Sequence, residues 1–200
     1  NKNMGSFDIA TTSFFPSKPL GCYGDGGAIF TSNDNLDNIL RSLRVHGKGN
    51  NKYDNIRIGM NSRLDTIQAG ILLEKLKIYP DEISLRQEKA DFYNKYLSKK
   101  FIKPFVQSNV QSVWAQYTIM VETVELRNKI IKKMSELKIP IMIYYPIPVH
   151  KQIAFKQFYD FDLDLSTSER ASERVLSLPM NPYLEKSNQI FITENLNKII

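Results

Sequence analysis

Apolar positions along this 200-residue chain recur at two spacings, and the places where the spacing changes divide the chain into elements. From Ser6 to Phe15 the residues are β-branched, aromatic or small, and they run into Pro16 and a glycine-rich stretch, which predicts a buried strand entering a turn. Gly26 to Thr31 predicts a second short strand. Asn33 and Asp34 offer an N-cap for a helix that carries Leu36, Ile39, Leu40 and Leu43 on one face and stops near His46 and Gly47. Residues 47–62 show neither period and are crowded with Gly and Asn, so they predict a long loop, of a length that in compact domains is either functional or disordered. The next helix is predicted from Arg63 to about Ile78, with Leu64, Ile67, Ile71, Leu72 and Leu76 as its apolar stripe. Pro80 is expected to break it. A longer helix from about Asp81 to Lys99 is charged on one side and carries Ile83, Ala90, Phe92, Tyr93 and Leu97 on the other, as a connector between two domains does. Beyond Pro104 short strands alternate with helices: a strand over Val113–Val121, a helix over Glu125–Lys138, and a strand over Ile139–Tyr145 that ends at Pro146 and Pro148. Ser166-Thr167-Ser168-Glu169 matches a capping box opening a helix toward Leu176, and a closing helix is expected over Ser187–Ile200. The boundary falls between residues 1–80 and 81–200, the second part being a linking helix followed by a small α+β domain.

Composition narrows the classes. With 42% apolar and 11% aromatic residues the chain has ample material for a packed core, which argues against disorder. The net charge of +6 (27 basic minus 21 acidic residues) is scattered along the chain without a basic run, and it describes a solvated surface. A single cysteine, Cys22, excludes an intrachain disulfide and fits a reducing compartment. No apolar run approaches membrane-spanning length, and the polar start Asn1-Lys2-Asn3-Met4-Gly5 is unlike a secretory leader, so a cytoplasmic chain with no membrane partner is expected. The two histidines, His46 and His150, are far apart and give no metal-ligand spacing; metal binding is not expected, and His46 reads as a cap at a helix end. Gly24-x-Gly26-Gly27 lacks the strand-to-helix setting and the acidic residue of a dinucleotide fingerprint. Trp114 and Tyr117 stand at strand spacing and read as core, not as stacking platforms for nucleic acid.

The chemistry concentrates at Lys18. It lies in Thr12-Ser13-Phe14-Phe15-Pro16-Ser17-Lys18-Pro19-Leu20-Gly21-Cys22-Tyr23-Gly24-Asp25-Gly26-Gly27-Ala28. A lysine before a glycine-rich turn, with Ser13 five positions earlier, suits an amine that condenses with an aldehyde cofactor while the serine holds that cofactor's phosphate. Taken singly, a lysine after a strand is an ordinary surface residue and a serine in a turn an ordinary cap. The apolar setting changes this, because partial desolvation favours the neutral, nucleophilic amine.

This run resembles the active-site lysine segment of the DegT/DnrJ family of pyridoxal-phosphate-dependent nucleotide-sugar aminotransferases. Three further stretches resemble the same family in the same order: Arg44-Val45-His46-Gly47, Gly59-Met60-Asn61-Ser62-Arg63-Leu64-Asp65-Thr66-Ile67-Gln68-Ala69, and Tyr144-Tyr145-Pro146-Ile147-Pro148-Val149-His150-Lys151-Gln152. The resemblance implies an α/β, fold-type I transferase, with residues 1–80 as the C-terminal portion of the cofactor-binding large domain and 81–200 as the linking helix and small α+β domain. It implies pyridoxal 5'-phosphate as cofactor, with Lys18 as its covalent anchor and as the base that moves the proton between substrate and cofactor carbons, and with Ser13 on its phosphate. Asn61 would reach the phosphate of the neighbouring subunit's cofactor, making a homodimer with shared sites. Arg63 reads either as a helix N-terminal residue paired with Asp65 or Glu74, or as a partner of substrate phosphates. Tyr145 and His150 would face the sugar-nucleotide pocket. The implied substrates are a UDP-type nucleotide sugar with a keto group, resembling 3-keto hexuronates, and glutamate as amino donor, in the biosynthesis of amino sugars for surface polysaccharide.

Sugar dehydratases of the same fold carry histidine where Lys18 stands, so the lysine favours amino transfer. In complete family members an upstream strand supplies an acidic partner for the pyridine nitrogen, and that segment is expected to precede Asn1. Without it the cofactor's electron sink is weakened. The rival expectation is a non-catalytic dimerising or regulatory remnant that binds no cofactor. The strands at either side of Lys18 would then belong to a sheet with exposed edges and uncovered apolar faces.

Overall fold

A computed structural model describes residues 8–158 and 163–200. The chain forms two compact units, Asn1–Pro80 and Asp81–Ile200.

In the first unit, β1 (Ala10–Ser13) and β2 (Gly27–Phe30) form an antiparallel pair in which Ala10 faces Phe30 and Ser13 faces Gly27. The strand expected over 6–15 begins outside the described residues, and its described part is shorter than expected. α1 (Asp34–Leu43) opens as predicted: the Asn33 side chain accepts the Leu36 N–H at 3.0 Å, and Asp34 and Asp37 sit in the positively polarised first turn. The helix ends at Arg44, two residues before His46, so His46 is not its cap; His46 and Gly47 instead adopt left-handed backbone, with φ of 59° and 73°.

The turn at Gly47 admits nothing larger. A Cβ there would lie 1.8 Å from the Arg57 carbonyl oxygen, in addition to the positive φ. That close approach folds the 47–62 loop onto the end of α1. The His46 N–H donates to Met60 O at 2.9 Å, Met60 N–H to Leu43 O at 2.8 Å, and Ser62 N–H to Arg44 O at 2.9 Å. The buried Ser42 hydroxyl donates to Lys48 O at 2.7 Å and accepts from Arg57 at 3.2 Å.

α2 runs from Thr66 to Tyr96 without interruption, with Pro80 inside it. The break expected at Pro80 does not occur. Proline costs the helix one N–H, the donor to the carbonyl four residues earlier, but both Pro80 and Leu76 are exposed, so that carbonyl is open to water. The helix also begins three residues later than expected, leaving Arg63 in the preceding loop. Of the predicted stripe only Leu72 is buried; Leu64 and Ile71 are half-buried, and Ile67 and Leu76 are exposed.

The second unit holds the hydrophobic core. β3 (Tyr117–Met120) and β4 (Val175–Leu178) pair antiparallel, extended by single bridges from Ile102 to Met120 and from Met142 to Ser177. Alternation in β3 sends Tyr117 and Ile119 inward. They meet Ala90 and Tyr93 of α2 and Leu97 just beyond it, Ile130 and Met134 of α3 (Val124–Glu136), and Ile192 and Leu196 of α5 (Lys186–Asn197). The ring of Tyr93 packs 4.9 Å from that of Tyr117, and both hydroxyls are satisfied: Tyr93 donates to Pro179 O at 2.9 Å and Tyr117 to Asn94 at 2.6 Å. Burial pushes both phenols well above the usual tyrosine range. Trp114 is buried, as read from the sequence, and its indole N–H donates to Gln87 at 2.8 Å.

The strand expected over Val113–Val121 is confined to Tyr117–Met120, and three further expectations for this unit fail. The strand over Ile139–Tyr145 is reduced to the Met142 bridge. Ser166 is the first residue of α4 (Ser166–Arg174), not its cap; the Asp164 carboxylate accepts the Ser166 N–H at 2.9 Å, and Glu169 turns elsewhere. The helix also stops at Arg174, and the next four residues form β4, because pairing with β3 outweighs helical continuation.

Candidate active site

The loop between β1 and β2 carries Lys18 and is held at every level. Its neck is closed by Phe14 N–H to Gly26 O and by Cys22 N–H to Phe14 O, both 2.8 Å. The turn of residues 15–18 closes with Lys18 N–H to Phe15 O at 2.8 Å. Cys22 is wholly buried, and its thiol lies 3.1 Å from the carbonyl oxygens of both Phe14 and Gly24. Gly21 is required by close packing: a Cβ there would lie 2.6 Å from Phe15 O and 2.9 Å from Pro16 O.

The Lys18 side chain is exposed on this braced loop, and among the described residues its amine has no hydrogen-bond or ion-pair partner. Partial desolvation of this lysine, expected from the apolar sequence around it, is not supplied by the described residues: Lys18 is exposed and Phe15 is itself 51% exposed. Ser13 is also exposed. Its hydroxyl accepts the Phe15 N–H at 3.2 Å, which leaves its proton free to be donated to an anion.

Asn61 and Arg63 come together, with Arg63 Nε donating to Asn61 Oδ1 at 3.1 Å. Neither Asp65 nor Glu74 takes Arg63; Glu74 pairs with Lys77 at 2.7 Å. Asn61 and Arg63 line a groove of about 730 Å³ with Arg41, Arg44, Thr12 and the backbone of Gly26 and Gly27. Ser13 and Lys18 do not line it. Arg41 is tied to Asp37 at 2.7 Å, which holds its guanidinium above its ordinary range. Asp25 and Asp37 line the same groove, so Arg44, Arg63 and the Asn61 amide are the donors it offers beyond the Arg41–Asp37 pair.

Tyr145 and His150 belong to the second unit. Tyr145 is 68% exposed and lines a groove of about 630 Å³ with Tyr144, Val149, Phe155, Ser168 and Ala171. The His150 side chain is nearly buried and does not line it; His150 Nε2 lies 3.0 Å from Glu169 Oε1, and Lys151 Nζ lies 2.8 Å from Glu169 Oε2. Lys151 first, then His150, holds the Glu169 carboxyl below the usual carboxylate range.

These residues fit pyridoxal phosphate in kind. An uncommitted primary amine stands on a rigid loop, and a serine hydroxyl with a spare proton stands on the same hairpin. Sequence reasoning missed Gln68, Lys75 and Glu169. Gln68 and Lys75 are seven apart on a helix, hence on one face, but no local pattern says what that face meets. Glu169 sits inside a stretch that reads as a helix cap.

Comparison with known proteins gives the class first. The chain superposes on a DegT DnrJ EryC1 StrS aminotransferase from Brucella abortus with a TM-score of 0.89 at 45% identity, covering 96% of this chain and 50% of that one. It superposes equally well, at 0.89 and 30% identity, on S. venezuelae DesV, covering 98% and 53%. For NtdA from Bacillus subtilis with bound cofactor PMP the TM-score is 0.85 at 31% identity, covering 96% and 46%. These likenesses establish the α/β, fold-type I architecture that the sequence implied. The chain belongs to the DegT/DnrJ/EryC1/StrS aminotransferase family, whose model matches residues 1–197. Among named relatives, the UDP-2-acetamido-2-deoxy-3-oxo-D-glucuronate aminotransferase of Pseudomonas aeruginosa is 45% identical over 181 residues, which is 90% of this chain and 48% of that protein. The chain spans about half the length of the curated relatives it matches.

Proposed function

We propose that the whole protein is a pyridoxal-phosphate-dependent aminotransferase that moves an amino group from glutamate to a keto sugar carried on a nucleotide, working in the cytoplasm as a homodimer with shared sites. Kinship to the P. aeruginosa enzyme points to a UDP-linked 3-keto hexuronate as the sugar and to amino sugars for surface polysaccharide as the product. The observation that carries the proposal is the free amine of Lys18 on a loop braced by its own backbone hydrogen bonds and by the buried Cys22 thiol. When bound, pyridoxal phosphate supplies an electron sink for the pair left on the substrate carbon once its proton departs. Lys18 Nζ anchors the cofactor and afterwards carries that proton. The Ser13 hydroxyl donates to the cofactor phosphate, Asn61 reaches the phosphate across the subunit boundary, and Arg63 meets substrate phosphates. Tyr145 and His150 hold the sugar nucleotide, with Glu169 fixing the imidazole.

The test is amino transfer by the whole protein, with glutamate and a UDP-linked 3-keto sugar. Lys18→Ala should reduce turnover to background, and full activity in that variant would refute the assignment. Mixing Lys18→Ala subunits with Asn61→Ala subunits tests the shared site: restoration of one intact site per dimer is expected, and mixtures no better than either parent contradict it. Wild-type protein that dimerises but takes up no pyridoxal phosphate supports the non-catalytic remnant.

A further inference from the structure

Two side chains from one face of α2 grip the loop that carries Lys18. The Tyr23 N–H donates to Gln68 Oε1 at 2.8 Å, and Lys75 Nζ donates to Gly21 O at 2.6 Å while lying 4.8 Å from the centre of the Tyr23 ring. The Gln68 amide also fills the space a Cβ at Gly24 would need, at 3.1 Å. Gly21 is the point of transmission. Its backbone packs so closely on the turn of residues 15–18 that a Cβ would stand 2.6 Å from Phe15 O, 2.9 Å from Pro16 O and 3.1 Å from Lys18 O. A displacement of Gly21 therefore moves the turn from which Lys18 projects.

We propose that Gln68 and Lys75 are positioning residues for Lys18, setting where its amine stands through the Tyr23 amide and the Gly21 carbonyl. The inference rests on Lys18 being the cofactor anchor. It also accounts for the choice between two neighbouring lysines: the Lys75 amine is spent on a backbone carbonyl, whereas the Lys18 amine is uncommitted. Placement matters because a displacement of about 1 Å at a reacting group costs up to about 100-fold in rate.

The experiment uses the whole protein stripped of cofactor. Pyridoxal phosphate is added, samples are quenched with borohydride at timed intervals, and label on Lys18 is followed by peptide mass. In the step observed, the Lys18 nitrogen attacks the aldehyde carbon, water leaves, and borohydride adds hydride to the resulting carbon–nitrogen double bond, locking it as a secondary amine. Gln68→Leu and Lys75→Met are expected to slow labelling about 10- to 100-fold. Gln68→Glu keeps the acceptor and Lys75→Arg keeps the cationic donor, so both should label as the parent does, a rescue that general destabilisation would not produce. Should Gln68→Leu not fold, the Lys75→Met and Lys75→Arg pair decides alone. Parent-like labelling in Lys75→Met, or equal slowing in Lys75→Arg, overturns the positioning role while leaving Lys18 as anchor. Absence of label on Lys18 in the parent protein overturns both.

Discussion

Glu169 accepts from His150 and Lys151 at once, and its charge is what the pair requires. Its carboxyl is held below the usual range, so the stabilisation it gives is fully present above the ordinary carboxylate value and is lost as pH falls through the lowered one. Glu169→Gln should therefore lower the thermal midpoint at neutral pH, and the gap between variant and parent should close in acid; a gap that persists unchanged at acid pH contradicts the ion-pair account. At Gly47 the cause is steric. Gly47→Ala places a methyl within 1.8 Å of Arg57 O at φ +73°, so the 47–62 loop must leave the end of α1, taking Asn61 with it. A loss of stability of about 1–3 kcal/mol is expected in chemical denaturation, together with weaker cofactor retention in the whole protein; an unchanged midpoint would count against the packed loop. At this scale the sequence was informative wherever chemistry is local. Lys18 and Ser13 stand in one recognisable run, whereas Glu169 takes its partners from a segment 18 and 19 residues upstream, while its own neighbours spell a capping box.

The elements that were misread share a cause: each was decided by neighbours distant in sequence. Pro80 has the local signature of a helix end, yet α2 passes through it because one lost hydrogen bond on an exposed face is small against the packing of Ala90, Tyr93 and Leu97 further along. Pro80→Ala restores the missing donor and should raise stability by up to about 3 kcal/mol, seen as a higher thermal midpoint. A lower midpoint would show that the ring itself is needed there. β4 was hidden for the opposite reason. Val175–Leu178 continues an apolar pattern that a helix could use, and only pairing with Tyr117–Met120 makes it a strand. By contrast the starts of α1 and α3 fall within a residue of where the sequence puts them, and both are set locally: the Asn33 and Thr123 side chains accept the Leu36 and Leu126 N–H groups.

Across the molecule the two units differ in how much apolar surface they bury. Among the described residues, the buried apolar side chains of Asn1–Pro80 are Cys22 and Leu72, whereas Asp81–Ile200 buries fifteen in one cluster. The first unit meanwhile exposes Phe15, Ile29, Phe30, Ile58, Ile67 and Leu73. In the 200-residue chain, amide exchange should be fast through the first unit and slow in β3, β4 and α3; uniform protection would contradict this division. Ile130→Ala should cost the second unit about 2–5 kcal/mol. The same contrast explains why the site was only partly visible in the sequence: the motifs name Lys18 and its companions, but the surface that would enclose the amine is not built by the described residues. The central claim is that the Lys18 amine is the covalent anchor of the cofactor. Peptide mapping of the whole protein after pyridoxal phosphate and borohydride addresses it most directly: the account predicts a reduced pyridoxyl group on Lys18, and label confined to any other lysine, or none at all, contradicts it.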